Sequence, residues 1–157
     1  DNVKVVIHRD RDYLSDDEIE KIRNKIEQYD MFFYVTDGVD LEGQYISALH
    51  VNELYPEIGI DEIEELINNA TEESSEISID KLLDHSFKNR KPDNDAYAKT
   101  FRELTKQYNS DIVRYRYGKR VLGLLKSKLQ TKLKRNIDLL RPTPHIINQD
   151  LVVIFSN

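Results

Sequence analysis

The sequence predicts an α/β fold in which a parallel sheet is flanked by helices and continued by an additional, mostly helical part. Three observations carry this. An apolar run at 3–7 stops abruptly in "HRDRD". A second apolar, aromatic run, "MFFYVT" (31–36), stops at Asp37-Gly38. Between them lies a segment whose isoleucines recur at helical spacing. Strand, helix and strand within the first 36 residues form a βαβ unit, which implies parallel strands joined by a crossover.

The run at 3–7 has the pattern of a strand buried on both faces. Ser15-Asp16-Asp17-Glu18 is a capping box, in which the Ser side chain accepts from a backbone N–H three residues on and Glu18 reaches back. Ile19, Ile22 and Ile26 follow on one helical face, with Lys21, Arg23, Lys25 and Glu27 elsewhere around the wheel. Beyond Pro56, the stretch 61–69 reads as a short acidic helix. "NNATEESSE" (68–76) reads as a polar loop, and 79–89 as a helix broken by "NRKPDND". Tyr97, Phe101, Leu104 and Tyr108 are spaced for another amphipathic helix. "DIVRYRY" (111–117) reads as a short strand ending at Gly118-Lys119. A basic helix then turns Val121, Leu122, Leu125, Leu129 and Leu133 inward and Lys126, Lys128, Lys132, Lys134 and Arg135 outward. "DLVVIF" near the end fits helix or strand equally.

The chain has 157 residues, one domain's worth, with 39% hydrophobic and 33% charged residues. It contains no cysteine, which excludes a disulfide framework or thiolate metal site and fits a reducing, cytoplasmic setting. No apolar stretch approaches the roughly 20 residues of a membrane span. The net charge of −6 hides an asymmetry. Residues 1–80 hold 22 Asp/Glu against 6 Lys/Arg, whereas residues 81–157 hold 7 against 17. Such a split suits a basic half facing nucleic-acid phosphate, or two halves that attract each other.

Three groups carry candidate chemistry. Asp10 and Asp12 stand at a strand end, where α/β sheets bind ligands. Two carboxylates there suit a hard cation, Mg²⁺ or Mn²⁺, or simply begin a loop. Asp40 and Glu42, in "TDGVDLEGQYI", repeat the spacing after the second strand. If the strand ends are neighbours, four carboxylates converge, and a divalent cation removes their repulsion. Alternatively, Asp37 and Asp40 are turn residues and Glu42 caps the following helix. Lys119 follows a glycine at the start of the basic helix, where an ammonium can neutralise a phosphate or a leaving oxygen. Arg114, Arg116 and Arg120, interleaved with Tyr115 and Tyr117, suit phosphate and bases, or ordinary packing. His8 reads as a core histidine, and His50, His85 and His145 show no metal spacing. There is no P-loop, G-x-S-x-G or Rossmann glycine fingerprint.

These segments, "HRDRDYLSDDEIEK", the aromatic strand, "TDGVDLEGQYI" and a late "YGKRVLGLLKSKL", together resemble the Toprim domain of OLD-family (overcoming lysogenization defect) nucleases. The resemblance is clearest over 1–55 and weaker over 110–135. It implies a Toprim-like parallel central sheet, with an α/β core at 1–55, a helical insertion at 56–108, and completion of the domain with the basic helix at 109–157. It also implies a DNA endonuclease that hydrolyses phosphodiesters with Mg²⁺ or Mn²⁺. Asp10, Asp12, Asp40 and Glu42 would be metal ligands, with Asp10, Asp12 and Lys119 catalytic. Arg114, Arg116, Arg120, Lys126, Lys128 and Lys132 would contact DNA.

In that family an ABC-type ATPase domain usually precedes on the same chain, homo-oligomers are possible, and the setting is bacterial phage defence. The family's opening Glu-Gly motif is absent here, so the chain is expected to be a piece of something longer and to be inactive in isolation. A haloacid-dehalogenase-type phosphatase also ends its first strand in Asp-x-Asp. It usually wants Thr or Val where Leu14 stands, and a late acidic motif that the basic half lacks. A nucleotide-sugar transferase rests on Asp-x-Asp alone. A non-catalytic DNA-binding or assembly domain of Toprim ancestry is the reading outside enzymes.

Overall fold

The computed structural model describes residues 4–88, 94–146 and 151–152. It begins with the expected βαβ unit: strand β1 (Val6–Arg9), helix α1 (Asp16–Glu27) and strand β2 (Phe32–Val35). The strands are parallel, with Val6 opposite Phe32 and Arg9 opposite Val35. The capping box forms as the sequence implies. Ser15 Oγ accepts from the Glu18 N–H at 3.3 Å, and Glu18 accepts from the Ser15 N–H at 2.9 Å. The Ser15 N–H, together with the Ser15 hydroxyl donating to the same carboxylate oxygen at 3.0 Å, holds the Glu18 carboxyl below its ordinary value. Helix α1 buries Ile19 and lays Arg23 over the Phe33 ring at 5.6 Å.

Among the described residues the sheet ends there, as two strands flanked by helices. The protein is therefore mixed α/β and mostly helical. β1 is half-buried at Val6 and Ile7 and exposed at His8 and Arg9, not covered on both faces as its composition suggests. "DIVRYRY", expected as a strand, instead forms the single-turn helix α6 (Ile112–Tyr115). Its cap decides the matter: the Asp111 carboxylate accepts from the Arg114 N–H at 3.0 Å, which favours a helical turn over alternation.

The remaining elements are a 3-10 helix (Leu41–Tyr45), α2 (Ala48–Leu54), α3 (Ile60–Glu73), α4 (Ser75–Phe87), α5 (Asn94–Ser110), α7 (Gly118–Leu133) and a final 3-10 turn (Pro144–Ile146). "NNATEESSE", expected as a loop, is helix on both sides of Ser74. Asn68, Asn69, Glu72, Glu73 and Glu76 stay exposed, while Thr71, Ser74 and, one turn further on, Ser78 are buried. Ser74 Oγ donates to the Thr71 carbonyl at 3.0 Å and Ser78 Oγ to the Ser74 carbonyl at 2.8 Å. The two serine hydroxyls are thus satisfied on the helix and pack, with Thr71, as small core residues. The "NRKPDND" break falls largely on 89–93, outside the described residues. "DLVVIF" does so too, except for Leu151 and Val152, which are helical.

The main core lies where α2, α3 and α7 meet, around the fully buried Val51, Ile63, Val121, Leu125 and Leu129. A smaller cluster of Leu82, Leu83, Leu104 and Tyr108 joins α4 to α5. The segment after α7 returns over the main core and is pinned by polar groups. His50 is fully buried, with Nδ1 2.8 Å from Thr143 Oγ1 and Nε2 2.9 Å from the Leu139 carbonyl. The Tyr55 hydroxyl accepts from the Asp138 N–H at 2.8 Å and donates to the Asp138 carbonyl at 3.1 Å. Both polar side chains are satisfied, so burying them is not a net cost.

Candidate functional site between the strand ends and helix α7

The two strand ends are tied together by Thr36, which is fully buried. Its Oγ1 accepts from the Arg11 N–H and donates to the Gly38 carbonyl, both at 2.9 Å. The loops that follow converge on the N-terminal end of α7. There they border a cleft of about 600 Å³ whose polar lining is His8, Asp10, Glu42, Lys119, Lys126 and Asp138. Tyr45, Leu122 and Leu139 are among its apolar walls.

The four predicted carboxylates do not all face this cleft. Asp10 does, and it is partly fixed: its Oδ1 accepts from the Leu41 N–H at 3.2 Å and lies 3.7 Å from His8 Nε2. Glu42 does too, 3.7 Å from Lys119 Nζ. Asp12 does not line the cleft. Its backbone is left-handed (φ 51°), its N–H donates to the Val39 carbonyl at 2.8 Å, and its side chain is exposed. Asp tolerates this region better than most residues, and the turn rotates it away from Asp10.

Asp40 is turned inward instead. Its Oδ1 accepts from the Gly43 N–H at 3.0 Å and its Oδ2 from the Lys119 N–H at 2.9 Å. One carboxylate therefore caps the 3-10 helix and, across the fold, the first turn of α7. The joint is close. A Cβ added at Gly118 would lie 2.1 Å from Asp40 Oδ1 and 2.6 Å from the Gly43 nitrogen. Burial raises the Asp40 pKa above its ordinary 3.8, the two backbone bonds oppose the rise, and the charges of Glu42 and Asp10 add to it.

Because the folded protein holds this proton more tightly than the unfolded chain does, Asp40 contributes stability that is fully present below about pH 4 and is lost as pH rises through its folded pKa. In urea titrations of wild type and Asp40→Asn, the stability difference between them is expected to move against wild type from about pH 4 upward. A difference that is flat with pH would show that burial does not perturb this group.

Lys119 sits on the cleft, two-thirds exposed, as the sequence implies. Of the six residues expected to meet nucleic acid, Lys126 alone lines the cleft. Arg114 instead closes the strand-end loops, donating to the Leu14 carbonyl at 3.0 Å and lying 5.3 Å from the Tyr115 ring centre. Arg116 is buried and donates to the Ile46 carbonyl at 3.2 Å; burial pushes its guanidinium below the ordinary value. Arg120 is exposed on α7 away from the cleft lining. Lys128 and Lys132 pair with Glu73 and Glu62 of α3, and Arg135 with Glu57. Three cations of the basic half are therefore paired with acids of the first half, two of them joining α7 to α3.

His8, read from the sequence as a core residue, lines the cleft with its side chain 41% exposed and its ring stacked on Tyr34 at 5.3 Å. A signal for it existed, since a residue two before Asp10 on a strand shares its face. Asp138 also lines the cleft. No local pattern marks it, because the Tyr55 hydroxyl puts it there.

Among the described residues, no three His, Cys, Asp or Glu side chains are grouped to hold a metal ion. Of the carboxylates lining the cleft, Asp138 has Oδ1 engaged by the Leu140 N–H, and Asp10 and Glu42 from the segments after β1 and β2 offer two hard oxygen ligands. That number does not make a closed cage. It does suit Mg²⁺, which keeps several waters and takes further ligands from substrate phosphates.

No family model matches the chain, and neither a curated relative nor a solved structure matches it.

Proposed function

We propose that the chain is part of a divalent-metal-dependent DNA nuclease resembling the Toprim part of OLD-type ATPase–nucleases, with its site in the cleft beside α7. One observation carries the reading. Two strand-end acids, Asp10 and Glu42, share a cleft with Lys119 and Lys126, which arrive from more than 75 positions further along the chain. Acid and ammonium side by side in one cleft suit a phosphodiester, a charged group whose negative charge rises during hydrolysis.

Asp10 and Glu42 would hold the cation, which when bound lowers the pKa of an attacking water and offsets charge on the phosphate. Asp10 is oriented for this by the Leu41 N–H. Lys119, now beside Glu42, has the reach to turn to a phosphate oxygen. His8, with Nε2 3.7 Å from Asp10 Oδ1, places an imidazole on the same wall. Asp40 has no chemical step: it holds the wall on which Glu42 and Lys119 stand.

The test is plasmid nicking with Mg²⁺ or Mn²⁺, on this chain and on the chain joined to an ATPase domain. Asp10→Asn and Glu42→Gln are expected to reduce nicking to background, and Lys119→Ala by about 100-fold. Asp12→Asn is expected to keep wild-type activity. Undiminished nicking by Asp10→Asn would end the assignment. Asp12 turned from the cleft also leaves a haloacid-dehalogenase-type mechanism without its second acid.

A second reading has one observation behind it, the absence of a three-donor metal group among the described residues. It is a DNA-binding or assembly domain without catalysis. Binding of DNA with no nicking by any form would select it.

A further inference from the structure

Beside the cleft lies a second one of about 650 Å³, and the two share Lys126 and Asp138 as lining residues. Arg135, Arg141 and Tyr55 complete the charged and aromatic part of its wall. The two guanidinium carbons lie 5.5 and 5.8 Å from the centre of the same Tyr55 ring. That ring cannot swing away, because it is buried and its hydroxyl is bonded to the Asp138 backbone on both sides. The arginines are thus held ready at one place, where the ring stabilises each cation but their mutual repulsion remains. Arg135 is partly neutralised by Glu57. Lys126 and Arg141 have no ion pair among the described residues. Asp138, the acid at the junction, has Oδ1 engaged by the Leu140 N–H at 3.0 Å.

We infer that this second cleft is the phosphate track of the site: a nucleic-acid strand leaves the acidic end at Asp10 and Glu42, passes Lys126, and lays its backbone against Arg141, with the Glu57-paired Arg135 beside it. The inference rests on reading the first cleft as the phosphodiester site. It departs from the sequence in one respect, placing the strand beside the segment after α7 and not along the outer lysines of α7. Lys128 and Lys132 are already engaged with α3, so recruiting them requires breaking ion pairs. Lys119 and Lys126 are two helical turns apart, about 10 Å along the axis, or about three nucleotide steps of roughly 3.4 Å. The binding partner is a polyanion with regularly spaced phosphates, and contacts of this kind are insensitive to base sequence.

The test is fluorescence anisotropy with a short labelled DNA duplex in EDTA, titrated at several salt concentrations, with nicking measured in parallel. Lys126→Gln and Arg141→Gln are expected to weaken binding about 10-fold each and to lower the salt slope by about one. Lys128→Gln and Lys132→Gln are expected to stay within about twofold. These side chains are at least partly exposed, and circular dichroism of each variant checks the fold. Failure of wild type to bind, or losses at Lys128 and Lys132 in place of Lys126 and Arg141, overturns the inference. If wild type nicks and the Lys126 and Arg141 variants nick equally well, the track is wrong and the nuclease reading stands. If binding depends on Lys126 and Arg141 but nothing nicks, the track stands and the nuclease reading falls.

Discussion

Gly118→Ala is expected to destabilise the protein by ~3 kcal/mol or more, while the same substitution five residues later, Gly123→Ala, stabilises it by about 0.5–1 kcal/mol. Both glycines lie in α7, where alanine is the better helix former. Their surroundings set the sign. The Cβ at position 118 meets Asp40 Oδ1 at 2.1 Å, and behind it the Gly43 nitrogen at 2.6 Å and Gly43 Cα at 2.8 Å. A carboxylate can turn aside, but two backbone atoms cannot without moving the 3-10 helix. Shifting α7 outward instead breaks the bond from the Lys119 N–H to Asp40 and leaves a buried acceptor short of a donor. At position 123 the added methyl meets nothing within 4 Å. Urea unfolding of the two variants measures this directly. Equal effects in the same direction would mean the close approach of α7 to the 3-10 helix is not as described. The pair Gly118→Ala and Asp40→Gly, alone and combined, then separates the side-chain clash from the backbone one, since the two residues touch and their effects do not add.

Leu125→Ala is the second large effect, expected at about 2–5 kcal/mol. Leu125 is fully buried at the middle of α7, within the cluster that holds Val51 and Ile63. Removing its side chain loses the transfer free energy and leaves a cavity bounded by three helices, which collapse poorly together. Val113→Ala serves as the comparison. It is 65% exposed, and its expected change is within about 0.5 kcal/mol. The reading used here is the denaturant midpoint at unchanged slope. A Leu125→Ala loss no greater than that of Val113→Ala would place the core elsewhere.

The parts of this fold that local rules govern are legible in the sequence. Ser15 and Glu18 stand three apart before a helical isoleucine pattern, and the capped helix α1 follows. The aromatic run before Asp37 is β2, and the leucines of α7 face inward as their spacing requires. Ser74 and Ser78 were not legible, because a hydroxyl that bonds its own helix looks, in one dimension, like a hydroxyl bonded to water. The candidate site was legible in its ingredients and not in its assignment. Asp10, Glu42, Lys119 and Lys126 do reach one cleft. Asp12 and Asp40 are excluded from it by facts no spacing encodes, a left-handed backbone at one and a backbone donor 79 positions away at the other. The lysines of α7 are separated by a similar accident of packing: Lys128 and Lys132 point at α3 and Lys126 does not.

The internal pairing of acid with base has a consequence during synthesis. The partners are far apart in order: Glu57 and Arg135 by 78 positions, Glu62 and Lys132 by 70, Glu73 and Lys128 by 55. A ribosome adding about 5–20 residues per second needs roughly 3–12 s to go from Glu73 to Lys132. Throughout that interval residues 1–131 keep a net negative charge, and the lysines that pair with α3 are among the last cations to be added. The apolar face of α3 is covered by α2 but not yet by α7, which is still incomplete. Early collapse is opposed by self-repulsion, and that same repulsion keeps neighbouring nascent chains apart. Contacts this distant also make the final closure a slow step relative to helix formation. The acidic half thus repels other copies of itself until its partners arrive.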